Sequence, residues 1–214
     1  MSVPKGRNCR VEIAATFAAV KTLTAITKAV PPVVTSAAHA LAEGTIGFFD
    51  TAVGMDELLG VAGSVDATAT NTFNAEGLDS TGYGTFTSGT FTPVATWLTL
   101  STSTQYEIGG GDADTIDGTV LLDRIKQETN GLLGAQTVTL SKFSDMQLPV
   151  LALIRSAALN DGFIVCRITL SNGERRVFRG QPGLPGESQG NNGALATSSF
   201  SVKVKGQVLM LPIA

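Results

Sequence analysis

Residues 163–178 hold the pattern that most restricts how this chain can fold. Phe163-Ile164-Val165-Cys166-Arg167-Ile168-Thr169-Leu170 runs into Ser171-Asn172-Gly173-Glu174 and then Arg175-Arg176-Val177-Phe178. Two strand-like runs around Asn-Gly read as an antiparallel hairpin, because Asn and Gly can supply both positive-φ positions of a type I′ turn. Other segments agree with a β architecture. Phe200, Val202 and Val204 alternate with Ser201, Lys203 and Lys205, the mark of a half-buried last strand. Trp97-Leu98-Thr99-Leu100 and Thr137-Val138-Thr139-Leu140 are strand-like as well. Val11 and Ile13 face away from Arg10 and Glu12, and the habit continues through Leu23 and Ile26 to Pro31-Pro32, which reads as a hairpin followed by a linker.

One helix is expected over Asp145 to Ala158. Ser144 and Asp145 can cap it, Pro149 fits its first turn, and Val150, Leu151, Ile154 and Ala157 form an apolar stripe ended by Asn160-Asp161-Gly162. Gly109-Gly110-Gly111-Asp112 predicts a flexible loop. Thr119 to Lys126 fits helix or strand by period and is read as extended. Gly180 to Glu187 carries three collagen-like triplets, too few for a triple helix, and reads as a loop. With only 15% charged residues, 24 glycines and abundant Ser, Thr, Ala and Val, the 214-residue chain suits short strands and turns, in one sizeable domain or two small ones.

Charge divides the chain. Between Lys28 and Arg124 there is no Lys or Arg, and twelve acids lie in that interval, so it carries −12 against +9 for the remainder. Such separation lets one face of a subunit attract a different face of its neighbour, and it equally suits two domains of different surface composition. From Val33 to Thr92 the segment is base-free, Gly-rich and broken into short runs such as Thr45-Ile46-Gly47-Phe48-Phe49 and Asn71-Thr72-Phe73-Asn74-Ala75. It is read as a small inserted β-domain, 33–92, within a discontinuous core of 1–32 and 93–214.

Catalytic material is scarce. His39 is the single histidine, which leaves little for a Ser/His/Asp triad or a multi-histidine metal site, and it is expected to cap or pack in the inserted domain. Asp112-Ala113-Asp114-Thr115-Ile116-Asp117-Gly118 departs from a calcium loop at its third acid and has Asp123 at the twelfth position. No glycine cluster stands between strand and helix in a phosphate-binding arrangement. No enzyme activity, cofactor or metal is expected. Cys9 and Cys166 read as free thiols rather than a disulfide. No apolar run is long enough to span a membrane and the opening residues lack a signal-peptide core, so a protein made and kept in the cytosol is expected, with no membrane insertion. Arg175, Arg176 and Arg179 form a basic group that could meet DNA phosphates or acids of a neighbour, or could charge an exposed sheet edge against unwanted pairing.

The order of these pieces resembles the tail tube proteins of long-tailed phages. Gly109 to Leu133 is similar to the family's central segment, through Ile116-Asp117-Gly118-Thr119 and Lys126-Gln127-Glu128-Thr129-Asn130-Gly131-Leu132. The helix, the Asn-Gly hairpin and Lys203-Val204-Lys205-Gly206 follow in matching order. Within 33–92, Leu78-Asp79-Ser80-Thr81-Gly82-Tyr83-Gly84-Thr85-Phe86-Thr87-Ser88-Gly89 looks like a β-module of phage tail proteins, whereas Leu58-Leu59-Gly60 stands where that module has Leu-Asn-Gly.

The resemblance implies a mainly β, sandwich or barrel-forming subunit with one flanking helix. It also implies hexameric rings stacked into a tube for DNA ejection, found in the virion tail and assembled in the host cytoplasm. Expected partners are further copies of the chain, the tape measure, tail tip and tail terminator proteins, and genomic DNA in transit. Expected subunit contacts are Asp112, Asp114, Asp117, Arg124, Lys126, Arg175, Arg176, Arg179 and Glu187. The family further implies an acidic or neutral lumen, and since the chain outside 33–92 is +4, its bases are expected to point away from the bore. Other readings are a capsid decoration or tail-tip protein, or a cell-surface carbohydrate-binding module. The last is opposed by 6% aromatic residues with Trp97 the single tryptophan.

Overall fold

The alternating segments become strands in the computed structural model, which describes residues 8–120, 122, 124–145, 147–188 and 194–213. In chain order the strands are β1 (Arg10–Phe17), β2 (Lys21–Leu23), β3 (Ala25–Ile26), β4 (Val33–Thr35), β5 (Ile46–Val53), β6 (Ala62–Asp66), β7 (Thr72–Glu76), β8 (Ser88–Thr99) and β9 (Ser103–Gly110). Then come β10 (Ala113–Asp117), β11 (Glu128–Leu133), β12 (Gln136–Phe143), helix α1 (Pro149–Leu159), β13 (Ile164–Thr169), β14 (Arg175–Pro182), β15 (Gly186–Ser188), β16 (Thr197–Val204) and β17 (Leu209–Leu211). The protein is mainly β, with one α-helix among the described residues. No helix among the described residues is long and apolar enough to cross a membrane.

All strands but β10 and β11 join one sheet, ordered β3-β4-β7-β6-β5-β8-β1-β13-β14-β16-β12-β9, with β2 beside β8, β15 beside β16 and β17 beside β14. Every pairing is antiparallel. The sheet encloses two apolar cores, and β1, β13 and β14 form the wall between them. Because successive side chains on a strand point to opposite faces, Val165 and Val177 enter one core while Ile164, Cys166 and Phe178 enter the other.

The first core centres on Phe49, Phe73 and Phe91, whose rings meet edge-on or tilted at 5.3 Å (Phe49–Phe91) and 5.6 Å (Phe73–Phe91). Gly47 makes room for them, since a Cβ there would lie 2.6 Å from the Phe91 ring and 2.5 Å from the Thr92 carbonyl. The second core gathers Val138 and Leu140 of β12, Phe200 and Val202 of β16, and Val150, Leu151 and Ile154 of α1.

Several local expectations change. The opening segment is not a hairpin: β1 pairs with β8 and β13, and β2 with β8, because long-range partners bury Val11 and Ile13 better than a local turn would. The Asn-Gly loop has positive φ at Gly173 but not at Asn172. Its hydrogen bonds, Gly173 N–H to Leu170 O (3.0 Å) and Leu170 N–H to Glu174 O (2.8 Å), define a three-residue loop rather than a two-residue type I′ turn. Helix α1 begins at Pro149 with Leu148 before it and no side-chain cap, and Asp145 instead accepts from Gln147 N–H at 3.1 Å. Gly109 and Gly110 lie inside β9, opposite Thr137 and Gln136. The described part of Thr119–Lys126 is not extended strand but the connection between β10 and β11. Finally, β17 follows the strand expected to be last, and β15 lies in the segment read as a loop.

Cys9 and Cys166 are both free. Burial pushes the Cys166 thiol far above its ordinary value, whereas Cys9 is partly exposed. A thiol reagent is therefore expected to label Cys9 alone in the native protein and both cysteines in urea, which mass spectrometry of the adducts checks.

Candidate assembly surface

Two features of the fold lack partners among the described residues. The first is the β10–β11 hairpin, a two-stranded sheet that has no further strand partner among the described residues. Its connection is closed by Asp117, whose Oδ1 accepts from the Thr119 hydroxyl (2.6 Å) and the Thr119 N–H (2.9 Å). These bonds hold the Asp117 carboxyl below its ordinary pKa, the side-chain bond contributing most. Thr119 Oγ1 in turn accepts from Gln127 N–H at 3.0 Å, and Lys126 pairs with Glu128.

On this framework the apolar side chains are left outside. Leu122 is 92% exposed, Leu132 85%, Leu133 78% and Ile125 76%. Clustered apolar exposure of this kind marks an interaction surface in a soluble subunit. Five of the expected contact residues lie on the same arm: Asp112, at the foot of β10, and Asp114 and Asp117, both exposed within it, with Arg124 and Lys126 exposed in the connection. Acids thus sit along β10 and bases beyond it, an arrangement suited to a complementary neighbour.

The second feature is open strand edges, among them those of β9 and β15. β9 pairs with β12 on one side, and β15 pairs with β16 on one side. Their other sides present backbone N–H and C=O groups with no strand beside them among the described residues, which makes each a template for another chain. Glu187 lies on β15, where it accepts from the Ser144 hydroxyl.

The basic group on β14 is placed differently. β14 is flanked by β13 on one side and by β16 and β17 on the other, so the reading of a charged exposed edge is corrected. Arg175 is buried and reaches Glu76 at 3.4 Å; Arg176 pairs with Glu174 at 2.7 Å. Arg179 donates to Gly60 O at 3.3 Å, with its guanidinium 4.3 Å from the Phe48 ring and 4.2 Å from the Phe163 ring. Burial lowers the Arg179 pKa, partly opposed by Asp50. These three side chains are therefore engaged within the chain, and Arg175 and Arg179 tie β14 to residues of the 33–92 segment.

Two further groups are structural. His39 is buried, accepts from Leu41 N–H at Nδ1 (3.0 Å), and so donates from Nε2 to Thr72 O (3.2 Å), with its ring against Phe73 at 5.3 Å. Glu12, 6% exposed, takes two bonds from Arg167 (2.7 and 2.9 Å), whose guanidinium lies 4.4 Å over Trp97. The sequence offered no warning of this second cluster, because its members are far apart along the chain. Lys142 is also buried, and burial lowers its pKa against the opposing charges of Asp145 and Glu187. Among the described residues, no group of three or more His, Cys, Asp or Glu is arranged to hold a metal ion.

A surface made of an unpacked apolar arm and open strand edges suits self-association. The sequence profile described as "Phage tail tube protein, TTP" matches residues 53–208, a span that contains β6 to β16, the arm included. No curated protein matches the chain.

Proposed function

The chain belongs to the phage tail tube protein family, and from that premise we propose that it closes into hexameric rings which stack into the tube through which DNA leaves the virion. The family is a structural one, not an enzyme family, and its place is the virion tail. The observation that carries the finer reading is the open edges of β9 and β15. A strand with unpaired backbone groups is a liability in a monomer, and closing β9 of one copy against β15 of the next removes both edges at once. A head-to-tail contact of this kind forms a closed ring when its rotation divides a full turn.

Six of the expected contact residues support this assembly: Asp112, Asp114, Asp117, Arg124 and Lys126 on the arm, and Glu187 on the β15 edge. The arm carries exposed apolar surface to the neighbouring copy and its charges set the register. Arg175, Arg176 and Arg179 act within the subunit. Residues 33–92 form a module on the tube's outer side, in contact with the exterior or with a host surface. Tape measure, tail tip and tail terminator proteins are its partners at the core and ends of the tube, and assembly takes place in the host cytoplasm.

Concentrated, purified protein is expected to form hollow cylinders visible by negative-stain electron microscopy. Persistence as discrete single molecules, together with absence of the protein from the shaft of intact virions, overturns the reading.

A further inference from the structure

A groove of about 390 Å³ runs between the end of β1, the C-terminal half of α1 and the start of β13. Its floor is made of small residues: Ala14 and Ala15 of β1, Ala157 of α1, and Gly162, where a Cβ would lie 3.3 Å from the Ala157 Cα. Its walls are Phe17 and Phe163, 46% and 40% exposed. Both rings are held from behind. Phe17 meets Phe48 edge-on at 5.4 Å, and the Arg179 guanidinium that covers Phe48 at 4.3 Å also covers Phe163 at 4.2 Å. The result is an apolar slot with fixed aromatic sides, the composition found at the centre of protein contacts. Asp161, between the lining residues Asn160 and Gly162, is exposed at its rim and forms no ion pair among the described residues.

We propose that this groove receives the arm of a second copy, with Leu122 and Ile125 entering between Phe17 and Phe163 while Arg124 meets Asp161. The inference rests on the reading above that the arm reaches a neighbouring copy, and it names the place where the arm is received. Three observations choose the arm as occupant. First, its Leu122 and Ile125 are 92% and 76% exposed, and such side chains gain free energy by entering an apolar recess. Second, the sizes agree: a void of about 150 Å³ holds a benzene ring, so the groove takes more than one branched side chain. Third, the charges agree. Arg124 lies between Leu122 and Ile125 in sequence and has no ion pair among the described residues, so a base inside an apolar run faces an acid on the rim of an apolar slot. The chain's own arm is not seated there, since Leu122, Ile125, Phe17 and Phe163 all stay exposed. Each copy would then hold its neighbours by two kinds of contact, backbone pairing at the open edges and side-chain insertion at the groove.

Cross-linking tests the seating. In a Cys9→Ser background, where Cys166 is buried, one chain carries Leu122→Cys on the arm and another carries Ser156→Cys, an exposed position that lines the groove. Mild oxidation of the mixture is expected to join the two chains in a disulfide-linked dimer as the main product. Charge reversal tests the pairing: Arg124→Asp sets two acids against each other and is expected to raise the concentration needed for assembly about tenfold. Adding Asp161→Lys to the same chain is expected to restore assembly, which a damaged fold would not allow, and urea unfolding of each unassembled variant checks that it folds. Absence of the mixed dimer overturns the inference, and tubes that form without it leave the tube reading standing. A disulfide that forms only inside a chain carrying both cysteines also overturns it, by seating the arm on its own subunit. A mixed dimer from chains that build no tube keeps the inference and removes the tube reading. An Arg124→Asp chain that assembles as readily as the unaltered one removes the Arg124–Asp161 pairing.

Discussion

Phe91→Ala is expected to cost about 3–5 kcal/mol of folding stability, the usual range for removing a large ring from a filled core. Phe91 is 1% exposed and bridges Phe49 and Phe73, so both lose its ring together, Phe73 keeping its contact with His39. Gly47 and Gly63 cannot fill the void, because neither carries a side chain that could move into it. Folding free energies of single domains lie near 5–15 kcal/mol, so the loss is a large fraction of the whole. Urea unfolding of the unassembled protein should show a markedly lower midpoint with an unchanged slope. A loss below about 1 kcal/mol would mean that the ring is not packed as described.

Replacing residues 112–134 with Asn-Gly is expected to abolish tube formation while leaving the subunit folded. Gly110 and Gln136 are already opposite each other in the β9–β12 ladder, so a short link can join the two strands where they stand. The excised arm has no partner in the large sheet, and its Leu122, Ile125, Leu132 and Leu133 face solvent. Unfolding in urea should therefore shift by no more than about 1 kcal/mol. Assembly should respond differently. Burying one such side chain is worth about 1.5–3 kcal/mol, so even partial burial of several on a neighbour raises the concentration needed for assembly by at least about a hundredfold. Light scattering against protein concentration measures that threshold. An arm-less subunit that assembles as readily as the intact chain would remove the arm from the contact.

Strands with alternating residues were readable wherever one of their faces meets a core. Phe200, Val202 and Val204 against Ser201 and Lys203 gave both the strand and its orientation, since packing rewards that pattern directly. Partner choice was another matter. Val11 and Ile13 marked β1 as a strand but carried nothing about β8 or β13, which come from residues eighty or more positions away. The turn at Asn172 was misjudged in type because Asn is compatible with positive φ without requiring it, and the ladder around Leu170 and Glu174 decided between them.

The candidate surface was partly legible for the same reason. Asp112, Asp114, Asp117, Arg124 and Lys126 were singled out in sequence, and the structure gathers them on one arm. The apolar residues between them, Ile125 above all, belong to a segment read as extended, yet they lie in the connection and outside the cores. Hydrophobicity alone does not say whether a side chain meets its own core or another copy. Arg175 and Arg179 looked free for external partners because Glu76, Gly60 and Phe48 are remote in sequence.

The long strand that runs from one core to the other bears on how such a subunit carries load. β8 is twelve residues long, about 40 Å at 3.3 Å per residue, and runs from the side of Phe91 to the side of Leu98. Tension on residues 33–92 would be drawn along this strand, in shear against β5 and β1, so that many rungs resist at once instead of opening one after another. With residues 33–92 outermost, as proposed above, a particle bending or swinging while fixed to a cell would strain them first, and the strand would work as a tie rod that spreads the strain across the subunit before any single ladder gives way.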